Sequence, residues 1–71
     1  MNLPSLLDFV RDPADAFRRQ HAEYAAKARE CLRDARATYG IGRRCCLRSA
    51  RHFGKMARLT LEAARQREVA A

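Results

Sequence analysis

The sequence predicts an all-α protein in which one short helix precedes an antiparallel hairpin of two long helices, and three observations predict it. Apolar residues recur every three or four positions over two long stretches, which is the spacing of a helix face. Asp12 followed by Pro13 is a strong helix start. Gly40-Ile41-Gly42 separates the two stretches, as glycine does where helices end. With 71 residues the chain forms a single domain, residues 1–71.

The short helix is predicted over residues 5–11. Ser5 is its N-cap, and Asp8 lies three residues later in the capping-box position. The apolar residues of this segment are too numerous for a free tail: Leu3, Leu6, Leu7, Phe9 and Val10. Two interpretations stay open, a lid over the end of the long helices and an exposed docking peptide. Because the segment contains Asp8 and no preceding Lys or Arg, it is not expected to be a signal peptide.

The first long helix is predicted over residues 13–39, with Asp12 as N-cap and Pro13 at its first position. Alternating steps of three and four residues define its packing stripe: Phe17, His21, Tyr24, Ala28, Cys31, Ala35 and Thr38. The stripe has large side chains at its start and small ones later. A neighbouring backbone is therefore expected to approach closely near Cys31.

The second long helix is predicted over residues 43–69, so that the hairpin arms are each about 40 Å long. One stripe is expected to pack against the first helix: Cys46, Ala50, Phe53, Ala57, Leu61 and Ala64. Gly54 lies inside this helix, where glycine costs about 1 kcal/mol relative to alanine. It is expected to admit an aromatic ring or a close helix crossing.

A second stripe on the same helix is nearly free of charge, and we name it the neutral strip: Cys45, Ser49, His52, Met56, Leu59 and Ala63. A single hairpin has only one mutual contact, so we expect a homodimer, a four-helix bundle that buries both stripes. This architecture resembles the small homodimeric helical hairpins of plasmid and phage regulators, some of which bind RNA. The resemblance covers the two long helices and implies a dimer with a nucleic-acid ligand.

A stripe of cations occupies the remaining face, and we name it the basic row: Arg44, Arg48, Arg51, Lys55 and Arg58. Steps of four, three, four and three residues place all five on one side of a helix. No Asp or Glu occurs between Asp34 and Glu62, and the chain carries a net charge of +7. Leu59 and Met56 flank the row. These seven residues are the predicted partner-binding site.

Catalysis is poorly supported, and we predict a protein that is not an enzyme and has no cofactor or metal. The imidazoles are His21 and His52, and no acid is placed to orient either one toward a cysteine. The three cysteines include the adjacent pair Cys45 and Cys46 and lack both disulfide-framework and zinc spacing. We expect them to be reduced, in a cytoplasmic protein.

The basic row favours a small regulator, of a size typical of phages and mobile elements, that binds the acidic surface of a host protein and inhibits or modulates it. The alternative is an RNA- or DNA-binding hairpin dimer, since guanidinium groups suit phosphates. A membrane surface is not favoured, because the row has no flanking Trp or exposed Phe and nothing in the chain is long enough to span. A further interpretation is that the arginines only solubilise an outer face.

Overall fold

A computed structural model describes residues 2–70 and confirms the all-helical hairpin. The helices are α1 (Leu6–Arg11), α2 (Pro13–Arg36) and α3 (Gly40–Ala70), and the described residues contain no strand. The main contact joins α2 to α3, while α1 packs on α2. The principal dimensions are 47 × 20 × 13 Å. The molecule is thus a pair of antiparallel rods with a short helix on one of them.

Side-chain caps begin the first two helices where the sequence predicts them. The Ser5 hydroxyl accepts the Asp8 N–H, and the Asp8 carboxylate accepts the Ser5 N–H at 3.0 Å. Asp12 ends α1 and begins α2, with its carboxylate accepting the Asp15 N–H at 3.2 Å. Pro13 follows in the first turn, where a helix has no use for an N–H. These caps satisfy backbone donors that the helix leaves unpaired.

The turn between the long helices comes three residues earlier than predicted. α2 ends at Arg36 and α3 begins at Gly40, so residues 37–39 form the connection. The Thr38 hydroxyl donates to the Asp34 carbonyl at 3.0 Å and thereby takes up one of the last carbonyls of α2. Gly40 has a φ of +60°, in the left-handed region that glycine enters without steric cost. The threonine therefore assists the end of α2, and the glycine redirects the chain into α3.

Small side chains form the buried contact between α2 and α3. The buried residues are Ala16, Cys31, Ala35, Ala50, Ala57, Thr60 and Ala64. The other predicted core residues are only half-buried: Phe17, Tyr24, Ala28, Cys46, Phe53 and Leu61. No large side chain of the described residues is fully buried. Two helices cannot enclose a large ring on every side, so the rings flank the contact while the alanines let the backbones approach.

Three side chains set the register of α2 on α3. His21 donates from Nδ1 to the Ala57 carbonyl at 2.6 Å and so joins α2 to α3. Tyr24 stacks on Phe53 with 6.1 Å between ring centroids. Every buried side-chain nitrogen and oxygen in residues 2–70 has a hydrogen-bond partner. Sliding the helices by one residue would break the histidine bond and separate the rings.

α1 covers α2 with one aromatic ring and leaves most of its apolar side chains outside. Phe9 packs edge-on against Phe17 at 4.9 Å between centroids, and Asp8 pairs with Arg19 at 3.4 Å. The aliphatic residues that remain exposed are Leu3, Leu6, Leu7 and Val10, with Leu6 82% exposed. Of the two open interpretations, a lid and an exposed docking peptide, lid-like packing is present at Phe9. The rest of α1 presents an apolar surface to solvent.

Gly54 has no packing role within one chain, contrary to the expectation of a close approach. A Cβ atom built there meets nothing within 4 Å. The aromatic ring of Phe53 stacks on Tyr24 instead. The backbone of α3 at Gly54 faces open space.

Replacing glycine by alanine should have opposite effects at two positions of α3. We expect Gly54→Ala to raise the free energy of unfolding by about 1 kcal/mol, because a helical interior favours alanine and the added methyl meets no neighbour. Gly40→Ala should lower it by about 1 kcal/mol, because alanine is strained at positive φ. Urea denaturation measures both changes. A destabilising Gly54→Ala would indicate that another surface packs on Gly54 in solution.

Acid should weaken the N-terminal cap of α1. The backbone N–H of Ser5 holds the pKa of Asp8 below its ordinary value of 3.8, with smaller contributions from the Ser5 hydroxyl and from Arg19. Since the folded pKa is the lower one, the capping contribution is complete above pH 3.8 and is lost as the pH falls through the folded value. Carboxyl-carbon NMR titration should show the depressed pKa. Most of the lowering of the Asp8 pKa should persist in Arg19→Gln, because Ser5 is its main cause. A measured Asp8 pKa at or above 3.8 in the unaltered chain would contradict this prediction.

Candidate binding surface

The basic row lies on the outer side of α3, away from α2. The buried residues of α3, such as Ala50, Ala57 and Ala64, recur on one side of the helix. All five members of the basic row are exposed: Arg44, Arg48, Arg51, Lys55 and Arg58. At 1.5 Å per residue the row is about 21 Å long, with a cation every 5 Å or so. The predicted stripe is therefore a continuous cationic surface.

The ion pairs of the molecule lie elsewhere. Within residues 2–70 they join Arg18 to Glu68, Arg19 to both Asp8 and Asp15, and Lys27 to Glu30. None of these pairs uses a cation of the basic row. The guanidinium groups of the row can therefore bind an external anion without first breaking an internal pair, which would otherwise reduce the gain.

Positive charge is concentrated at the turn end of the hairpin. Residues 29–51 contain seven arginines and two carboxylates, a net charge of +5, which leaves +2 for the rest of the chain. On α2, Arg29, Arg33 and Arg36 surround a shallow depression that also contains Leu32. On α3, Arg44, Arg48 and Arg51 surround a second one beside Leu47. Both depressions are open, and each combines arginines with one leucine.

Leu59 and Met56, the two predicted apolar flanking residues, differ in exposure. Leu59 is 43% exposed, whereas Met56 is half-buried. Both belong to the neutral strip, in which Cys45 and His52 are exposed as well. The strip is therefore incompletely covered by α2 and remains a surface onto which another chain could pack.

Two exposed residues at the turn were not predicted to contact a partner. Tyr39 is 90% exposed and Ile41 is 77% exposed. The predicted first long helix, residues 13–39, included Tyr39 as its last residue, but α2 ends at Arg36. Gly40 was the sequence feature that could have predicted the exposure of Tyr39 and Ile41, because residues next to a chain reversal lie at the end of a hairpin.

The potential metal ligands and nucleophiles do not form a centre. No group of three His, Cys, Asp or Glu residues among positions 2–70 is arranged to hold a metal ion. The three cysteines are free thiols: Cys31 is buried, Cys46 half-buried and Cys45 exposed. The surface chemistry that stands out is that of exposed guanidinium groups, which donate several hydrogen bonds to carboxylates or phosphates.

No family model, curated protein or solved structure matches this chain. A role for the basic row is therefore inferred from its charge, exposure and spacing.

Within residues 2–70, no helix combines the length and the hydropathy that crossing a bilayer requires.

Proposed function

We propose that this protein is a small non-enzymatic regulator whose basic row binds an acidic surface of another protein and thereby inhibits or modulates it. The observation that carries the proposal is the set of five exposed cations without an internal carboxylate partner among the described residues. Oppositely charged surfaces associate quickly and select against neutral or basic partners. In this proposal the protein acts in the cytoplasm, as a product of a phage or mobile element.

A protein partner is favoured over nucleic acid by the apolar residues that accompany the cations. Leu59 is exposed beside the row, and Leu47 lies among Arg44, Arg48 and Arg51. Protein interfaces combine arginine with buried apolar contacts, whereas leucine adds little on a phosphate backbone. The row also has no Asn or Gln to read base edges.

The alternative is an RNA- or DNA-binding hairpin dimer, and the spacing of the row favours it. A cation about every 5 Å along a rod can follow a phosphate strand. Exposed Tyr39 also offers a ring on which an unpaired base could stack. Both features are independent of any apolar contact, so mutations can separate the two functions.

We also propose that two copies associate as a four-helix bundle. A chain that buries no large side chain fully among its described residues has little core of its own. The apolar residues exposed on α1 and the neutral strip of α3 offer the missing burial. The strip contains no Asp, Glu, Lys or Arg, so two chains that meet there bury no charged side chain of the strip. The basic row would then remain outside the dimer.

Charge reversal in the basic row should abolish partner binding. Arg48→Glu with Arg51→Glu inverts the centre of the row, and like charges would then repel an acidic partner. Affinity purification from the native cell, with and without nuclease, identifies the partner, and calorimetry with that purified partner measures the loss. The control, Arg11→Glu with Arg67→Glu, makes the same change in net charge away from the row and should bind normally. Unchanged binding by the row variant, with the helical circular dichroism spectrum preserved, would exclude both functions.

Leu59→Ala should distinguish a protein partner from nucleic acid. Loss of an apolar contact at a protein interface should weaken binding by about 1 kcal/mol, roughly fivefold. Nucleic acid binding should be nearly unaffected. Removing each cation should instead lower the slope of log K against log salt by about one. Light scattering on the same variant shows whether a weaker complex reflects a lost dimer rather than a lost contact.

The dimer should appear in light scattering as twice the chain mass of 8.1 kDa at micromolar concentration. Leu6→Ser with Val10→Ser should raise the dimer dissociation constant by about tenfold or more, since each leucine- or valine-sized side chain contributes about 1.5–3 kcal/mol when buried. Both residues are exposed in the single chain, so helicity should persist. Val69→Ser is the matched control at the end of α3. A folded monomer for the unaltered chain would rule out the bundle.

A further inference from the structure

The turn end of the hairpin carries a second combination of apolar and cationic side chains. Tyr39 and Ile41 are the apolar members, 90% and 77% exposed. Arg36, Arg43 and Arg44 lie within three residues of them in sequence and are also exposed. We name these five residues the turn patch. Four of them, Arg36, Tyr39, Ile41 and Arg43, lie outside the basic row. Among the described residues, none of the four side chains takes part in an ion pair.

The backbone holds the turn patch in a defined geometry. The Thr38 hydroxyl and the Ala37 N–H both donate to the Asp34 carbonyl, at 3.0 and 3.1 Å. The Arg43 N–H donates to the Tyr39 carbonyl at 3.4 Å. Gly40 supplies the left-handed residue between the two apolar side chains. A turn fixed in this way loses little conformational freedom on binding, which favours affinity.

The electrostatics at this end call for an acidic partner. The ion pairs within residues 2–70 use none of the three arginines of the turn patch. Of the two carboxylates in residues 29–51, Glu30 pairs with Lys27. Nearby positive charge therefore remains in excess, and a docked surface must supply the carboxylates.

The pairing of tyrosine with isoleucine favours a protein over a nucleic acid or a free anion. Tyrosine and arginine are among the residue types enriched at the energetic centres of protein interfaces. Isoleucine has neither a ring for base stacking nor a donor for phosphate, so its exposure is useful only where an apolar surface covers it. A pocket on a folded protein can cover both apolar side chains while carboxylates around it meet the arginines.

We propose that the turn patch is the anchor of an end-on protein interface. Tyr39 and Ile41 enter an apolar pocket of the partner, and Arg36, Arg43 and Arg44 pair with carboxylates on its rim. The inference rests on the proposed function for the class of partner and adds the residues that anchor it. The basic row then extends the same contact along α3 from Arg44.

A displayed library of short random peptides, selected on the immobilised full chain, provides a defined probe. We expect the selected peptides to contain Asp or Glu around one or two large apolar residues. A fluorescein-labelled selected peptide, titrated by anisotropy, should bind Tyr39→Ser and Ile41→Ser about tenfold more weakly than the unaltered chain. Val69→Ser, a control at an 88% exposed residue of the opposite end, should bind normally. Because all three residues are exposed, circular dichroism should show the same helicity in each variant.

Two further probes complete the test, a labelled single-stranded RNA and vesicles containing phosphatidylserine. Selection of no acidic peptide, or peptide binding that is unchanged in Tyr39→Ser and Ile41→Ser, overturns the inference. RNA or vesicle binding that is lost in those two variants, without any peptide binding, overturns it in favour of that other ligand. Binding of the row and turn-patch variants to the partner identified by affinity purification distinguishes this inference from the proposed function. Binding that needs Arg48 and Arg51 but not Tyr39 and Ile41 leaves the proposed function standing and removes only the anchor.

Discussion

The close contact of α2 with α3 through alanines is the constraint on which the rest of this structure depends. Ala35, Ala50, Ala57 and Ala64 are buried, and no large side chain of the described residues is buried fully. Small residues allow two helix backbones to approach near the short end of the usual 8–10 Å range. The contact is therefore narrow, and every larger side chain has to lie beside it or outside it. The hydrogen bond from His21 to the Ala57 carbonyl then fixes which residues face each other.

A narrow contact leaves several large apolar side chains exposed to solvent. In a larger domain, a second layer would cover the apolar residues of α1 and the neutral strip of α3. Here Leu6 and Val10 are exposed and Leu59 is partly exposed. These exposed apolar residues support the proposed dimer, which would cover them. The two surfaces proposed for the dimer and for partner binding share Leu59 and Met56 at their common edge, and their other residues occupy different sides of α3.

Charged side chains are distributed unevenly between the two ends of the hairpin. Arg18 and Glu68 pair at the open end of the hairpin, and Arg19 pairs with carboxylates of α1 and α2 nearby. Exposed pairs of this kind add little to stability, but they neutralise the end that holds α1. The turn end keeps an excess of arginine. The open end is thus held by internal ion pairs, whereas the turn end carries most of the net positive charge.

The sequence by itself determined the features that depend on local chemistry and on helical spacing. Ser5, Asp12 and Pro13 marked the helix starts, because caps act within one turn of chain. The basic row followed from spacing alone, because five charged side chains on one stripe of a two-helix protein face solvent. The hairpin followed from two periodic stretches separated by glycine.

Only the tertiary structure decided how deeply each apolar residue is buried and where the long helices meet their turn. Periodicity placed Phe17, Tyr24 and Phe53 on the packing stripes, but it could not show that a lone helix pair leaves rings half-covered. Gly54 has open space beside it because no third helix lies there in one chain. Tyr39 is a surface residue because α2 ends at Arg36, three residues before it. The Thr38 hydroxyl and the Ala37 N–H donate to the Asp34 carbonyl at this helix end. The burial of a side chain depends on which other helices pack against it. The spacing of residues within one helix predicts which face a side chain occupies, but not what covers that face.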